Sequence, residues 1–327
     1  MGGSRRSVVL KDEHGVPTYI LHPRLGDLGL HVEAMDRAGV DLAVLSSGAG
    51  MMGDIDVCRR VNDRIGAAVD EYPGRFAGLA HVPPLGGGEA FRELDRASKD
   101  LGFRGVAIES SLQGVTLDSE QLWPFYEHVQ ELGLFVFIHP ALKTLGSDLM
   151  QDYDLARSVG REFGLVMATI RLINGGVFEA FPELTVQMSH LGGGVAALMG
   201  RIRSYQDKDF WGTAGDERHG KLPKRPFDHY FRQIYFDTGG FCGNINAVKS
   251  ALLEIEPSHV LFGTDYPQEI RSGEDVNDFI TGIRQLPMSP QDVDGILAAN
   301  GRALLGIWSS MSSQRRLGSR GGAGDLT

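Results

Sequence analysis

The hydrophobic pattern alternates, along most of the chain, between apolar stripes at helical spacing and short unbroken apolar runs. Leu30, Ala34 and Ala38 recur one helical turn apart and Gly39 supplies a stop, which predicts a helix over 29–38. Residues 40–45 follow as a continuous apolar run, as expected of a parallel strand buried on both faces. The same grammar then repeats. A helix begun by Asp54 or Asp56 reaches Tyr72, Pro73-Gly74 breaks it, and a strand is expected over 76–82. Further helices are expected over 89–101, 122–132, 153–173, 195–205 and 246–254, with strands over 105–108, 134–138, 184–188, 234–236 and 260–262. Helices over 275–286 and 290–305 close the pattern.

The ends and one internal segment depart from it. Ser7 to Leu10 and Pro17 to Leu21 predict a small hairpin around Asp12-Glu13-His14-Gly15, within an N-terminal insertion over 1–28. The polar stretch 206–226 reads as a long insertion between a strand and its helix, and the Ser-, Gly- and Arg-rich residues 309–327 as a disordered tail. The main domain is expected over 29–308. Counting strands at 40, 76, 105, 134, 184, 234 and 260 gives seven βα units, one short of a closed barrel. A doubly wound sheet tolerates seven strands, but Ser46-Ser47-Gly48-Ala49-Gly50 lacks the GxGxxG register expected after its first strand. The expected fold is therefore a (β/α)8 TIM barrel with strand 1 missing or atypical.

Composition narrows the partners. The 327 residues are 42% hydrophobic and 23% charged, enough for one large core, and the net charge of -10 argues against a nucleic-acid partner. Cys58 and Cys242 lie far apart and form neither a disulfide framework nor a thiolate cluster. No apolar run approaches the length of a membrane span, and residues 1–7 lack the apolar core of a signal peptide, so a cytoplasmic protein without membrane contact is expected.

The candidate chemistry sits where strands end. FVFIHP carries His139, VQMSHLGGG carries His190, and HVLFGTDYP carries Asp265. Ionisable groups at the C-terminal ends of buried parallel strands are where a (β/α)8 barrel places its site. A buried carboxylate such as Asp265 is costly unless paired or bound to a metal. His and Asp donors without cysteine suit Zn2+ or Mn2+, and spacing does not choose between them. The glycines after His190 let the backbone approach a ligand closely. Asp237 in YFDTGG and Glu109 after Ile108 end strands too, as pocket carboxylates or as partners of the turns that follow, whereas His81 and His128 fit ordinary packing.

At these residues the chain resembles the metal-dependent decarboxylase branch of the amidohydrolase superfamily, typified by aminocarboxymuconate-semialdehyde decarboxylase. The resemblance runs from about Asp12 to Ile307 through EAMDRAGVD, FVFIHP, GGVFEAFPEL, SHLGGG and LFGTDYP, closing with an Asn300-Gly301 turn. It implies a divalent metal held by His139 and Asp265, His190 as the proton-handling residue, and Arg201 reaching into a neighbouring subunit to hold a substrate carboxylate, hence a homodimer. The implied activity is non-oxidative decarboxylation of a small aromatic or unsaturated carboxylic acid. Departures are clear. The family's first strand ends in a metal-binding His-x-His pair, and no HxH occurs in this sequence. His14 and His22, eight apart, cannot imitate a pair two apart on one strand face. A family arginine falls near Thr18, and a tryptophan after the HP motif is Ala141, which implies a pocket built for another molecule. Three readings stand at this point: the decarboxylase, a hydrolase or hydratase using the same site, and a barrel without activity that serves as a binding or scaffold subunit. A coding sequence beginning further upstream with an in-frame HxH would restore the full ligand set.

Overall fold

The computed structural model describes residues 7–11, 15, 17–143, 146, 149–150, 152–219 and 223–307. Asp12 to His14 and the tail expected over 309–327 lie outside the described residues.

Among the described residues, seven parallel strands run in chain order around the molecule: β3 (Ala43–Leu45), β4 (Phe76–Gly78), β5 (Gly105–Glu109), β8 (Phe135–His139), β9 (Thr185–Met188), β10 (Tyr235–Asp237) and β11 (Val260–Leu261). β5, β8, β9, β10 and β11 form one hydrogen-bonded sheet, β3 pairs with β4, and a bridge from Ala80 to Val106 joins the two groups. Two antiparallel hairpins stand apart: β1 (Val8–Lys11) with β2 (Pro17–Leu21), and β6 (Ser111–Leu112) with β7 (Val115–Thr116).

Side-chain alternation along the strands divides the core in two. Val136, Ile138, Val186, Met188 and Phe236 point outward into the main core beneath the helices. Each such buried side chain contributes about 2 kcal/mol. The residues between them, Phe135, Phe137, His139, Gln187 and Asp237, face the interior. There the apolar packing is thin: a small cluster of Met51, Leu79, Ala107, Phe135 and Leu305, with Leu42, Phe137 and Leu304 against it.

The helical layer closes where the strand layer does not. Helix Leu28–Ala38, capped by Asp27 accepting from Leu30 N, packs on helix Gly273–Arg284. The contact is close enough that a Cβ on Gly273 would lie 2.7 Å from the Ala34 carbonyl oxygen, and Arg37 bonds Glu274 across it at 2.7 Å. No ladder joins β3 to β11 among the described residues. The gap between them is backed by these two helices and opens as a cleft of about 1630 Å³, with Tyr19, Ile20 and Leu21 of the hairpin at its wall. Gln268 Nε2 donates to the Ile20 carbonyl at 2.9 Å and ties the hairpin there.

Several expectations are corrected. Residues 40–45 do not form a strand buried on both faces: only Ala43–Leu45 is strand and Val44 is 45% exposed, because one flank has no neighbouring strand among the described residues. The run over 76–82 shortens to Phe76–Gly78, the chain then crossing to β5 through Ala80 alone. The 206–226 segment connects helix Met199–Ser204 to helix Phe227–Phe231 rather than a strand to its helix. Asn300-Gly301 is helical, not a turn; Asn300 Nδ2 donates to the carbonyls of Pro257 and Val260, both at 2.8 Å, and so pins the start of β11.

Candidate metal centre and active site

His139 stands last on β8, two positions beyond Phe137 and four beyond Phe135, so alternation turns its ring to the interior. Asp265 follows β11 after a short turn and has φ of 49°, the left-handed region a non-glycine residue rarely adopts. His190 begins a turn in which five successive residues are left-handed, with φ of 52° at His190, 49° at Leu191, and 64°, 69° and 78° at Gly192, Gly193 and Gly194. His190 and Leu191 bear a conformational cost of about 1–2 kcal/mol each. Such strain persists where surrounding structure holds a functional group in place.

Within the glycine run, Gly193 serves a protein contact. A Cβ on Gly193 would lie 1.9 Å from the Glu162 carbonyl oxygen, so only glycine lets this turn meet the start of helix Arg161–Asn174. That contact puts Glu162 beside the imidazole: His190 Nδ1 donates to Glu162 Oε1 at 2.9 Å. Gly240 clears the other side, since a Cβ there would fall 2.1 Å from His190 Cγ. Asp237 ends β10 and is both of the things expected of it. It lines the cleft, and it also fixes the turns by accepting from His190 N at 3.2 Å, Gly239 N at 2.9 Å and Gln187 Nε2 at 3.0 Å.

His139, His190 and Asp265 converge, one donor atom of each lying within 4.8 Å of the others. The two imidazoles meet edge to face with centroids 5.5 Å apart. His139 Nδ1 donates to the Pro140 carbonyl at 3.1 Å, which leaves Nε2 as the lone-pair donor. Burial, with the neighbouring charges of His190 and Arg161, pushes His139 down to about 3, so it is neutral as a ligand must be. Asp265 is pushed up to about 6, chiefly by burial, which His190 opposes. Burial opposes charge on His190 as well, but its hydrogen bond to Glu162 and the fields of Glu162, Asp265 and Asp237 prevail and push it up to about 9. The neutral His139 nitrogen and the buried Asp265 carboxylate oxygen fit as two protein ligands of a divalent cation with its other positions left open, and the charged His190 stands beside them.

The other candidates separate cleanly. Glu109 accepts from Leu142 N at 3.0 Å and is raised by burial, serving the turn after β8. His81 is fully buried away from the cleft, accepting from Ser47 N at 3.0 Å, and His128 stacks on Phe91. His22 caps the turn Pro23–Gly26. Arg201 is exposed on helix Met199–Ser204, its guanidinium 5.1 Å over the Tyr205 ring, and does not line the cleft of its own chain. Glu162 escapes the sequence pattern because it lies on a helix, where a first-turn carboxylate usually answers the helix dipole.

Comparison with known proteins agrees with this geometry. The family described as Amidohydrolase matches residues 27–307. The chain is 35% identical over 289 residues to 2-amino-3-carboxymuconate-6-semialdehyde decarboxylase of Dictyostelium discoideum, covering 86% of this chain and 77% of that one. It is 30% identical over 275 residues to gamma-resorcylate decarboxylase of Polaromonas sp., covering 81% and 77%. The crystal structure of a dihydroxybenzoic acid decarboxylase from Polaromonas sp., with bound manganese and the inhibitor 2-nitroresorcinol, superposes with a TM-score of 0.70 at 25% identity, covering 85% of each chain. Seven parallel strands among the described residues, a strand-end His/His/Asp set and a match spanning 281 residues from 27 to 307 place this chain in the amidohydrolase family.

Proposed function

We propose that the chain is a metal-dependent carboxy-lyase that decarboxylates a small aromatic or unsaturated carboxylic acid without oxidation. The observation that carries this reading is the convergence of His139, His190 and Asp265, with His190 held by Glu162, in a chain with two relatives at 35% and 30% identity that are named as decarboxylases. His139 and Asp265 would hold a divalent ion, Zn2+ first and Mn2+ second, which when bound supplies Lewis-acid polarisation of the substrate. His190, charged beside Glu162, gives its proton to the carbon bearing the carboxylate. The bond from that carbon to the carboxylate then breaks, its electron pair returns to the ring or diene, and carbon dioxide leaves. Burial of the imidazole and its bond to Glu162 hold it in one orientation.

Arg201 faces solvent, which supports a role in a neighbouring subunit's cleft and hence a homodimer. A cytoplasmic location accords with the absence, among the described residues, of any helix long and apolar enough to cross a membrane. Purified protein is expected to contain stoichiometric divalent metal and to release carbon dioxide from members of a hydroxybenzoate panel, with turnover lost in His190→Ala. Normal turnover in that variant, or a hydrated or hydrolysed product without carbon dioxide, would sink the assignment.

A further inference from the structure

Before helix Arg161–Asn174 the chain makes a π-type turn, Ala156–Gly160, and the two segments carry Arg157 and Arg161 four residues apart. Turns of this kind recur at functional sites, where the extra residue re-aims side chains. Both arginines line the cleft that holds His139, His190 and Asp265. Setting two guanidinium groups at this spacing is unfavourable in itself, and the charge of Arg157 does act against that of Arg161. Arg161 also stands centrally: its charge reaches Tyr19, Glu109, His139 and Asp265, which come from four different segments.

Arg157 is anchored by one edge, Nη2 donating to Asp154 Oδ1 at 2.7 Å. Its buried Nε has no acceptor among the described residues, and two other atoms of cleft-lining residues, Glu162 Oε2 and Ser189 Oγ, are likewise buried without a partner. Most buried polar atoms are paired in folded chains; others are open elsewhere in this one, His81 Nδ1 and Asn174 Oδ1 among them, but these three share one cavity. A donor, an acceptor and a hydroxyl left open around one cavity mark positions that a polar ligand would complete. The planar fork of arginine matches a carboxylate with two parallel hydrogen bonds, which a point charge does not.

We propose that Arg157 and Arg161 form an anion subsite that holds a second acidic group of the substrate, separate from the carboxylate that leaves. The substrate class is then an aromatic or unsaturated acid bearing two acidic groups. The inference rests on the decarboxylase reading for the reaction, but its binding step is measured independently of turnover.

Titration calorimetry of the purified protein with isophthalate and with benzoate tests it. Isophthalate is expected to bind at least tenfold more tightly than benzoate. Arg157→Gln is expected to weaken isophthalate at least tenfold while leaving benzoate within twofold, and Arg157→Lys to restore part of the loss. Arg161→Gln should act in the same direction; because Arg161 also faces buried carboxylates, its far-ultraviolet circular dichroism is compared with that of the unchanged protein, and Arg157→Gln decides if it unfolds. Equal affinity for the two acids, no binding of isophthalate, or an isophthalate preference that survives Arg157→Gln would overturn the subsite. Failure to release carbon dioxide with the isophthalate preference intact would instead overturn the reaction and leave the subsite standing.

Discussion

At the scale of single residues, the site depends on what surrounds His190 as much as on His190. Glu162 supplies the charge that keeps the imidazole protonated in a buried place where desolvation alone would discharge it. Glu162→Gln keeps the shape and a hydrogen-bonding group while removing that charge, and is expected to lower kcat by about 100-fold with metal content unchanged; an unaltered kcat would show that the carboxylate has no part in the proton transfer. His81 makes the complementary case outside the cleft. Burial pushes it down to about 4, while an unfolded histidine protonates near 6.5. The unfolded chain therefore binds more protons between these values. The stabilisation from neutral His81 is complete above pH 6.5 and is lost as pH falls towards 4, about 3 kcal/mol in all. Unfolding free energies measured across that interval should fall less steeply in His81→Gln than in the unchanged protein, and identical slopes would refute the assignment.

At the scale of elements, the left-handed turn from His190 to Gly194 joins a strand end to a helix start with no room for error. Its glycines are not equivalent. Gly194→Ala meets nothing closer than the Phe241 ring at 3.8 Å and should cost only the conformational strain of about 1–2 kcal/mol. Gly193→Ala meets the Glu162 backbone at 1.9 Å, and should cost more than about 3 kcal/mol and displace Glu162 from His190. Urea unfolding of the two variants measures both, and equal costs would contradict the contact. Much of this was legible in the sequence: an apolar run ending in His139, His190 or Asp265 announces a strand end, and strand alternation then decides that His139 faces inward. What was not legible came from other segments. Glu162 lies 28 positions from His190, and nothing in local periodicity joins them. The purpose of Gly193 was equally hidden, since a glycine run reads alike whether a ligand or a backbone lies against it.

For the whole molecule, seven strands followed from counting apolar runs, but strand lengths did not, because burial on the open flank depends on a neighbour that the local pattern cannot reveal. Val44 shows this most plainly: a residue with strong strand preference stands 45% exposed. The interior is correspondingly sparse, and the cleft between β3 and β11 runs beside the site itself. A sealed barrel shares circumferential load among all its staves, whereas this one is a C-shaped shell whose lips are held by a clasp of two helices, with lighter ties such as Gln268 to Ile20 and Arg24 to Arg271 beside it. Ala34 against Gly273, with Arg37 on Glu274, is that clasp, and it links residues some 240 positions apart in the chain. Whatever spreads the clasp also widens the mouth in which His139, His190 and Asp265 must keep their spacing, so the rim of the molecule and its chemistry are coupled through one helix pair.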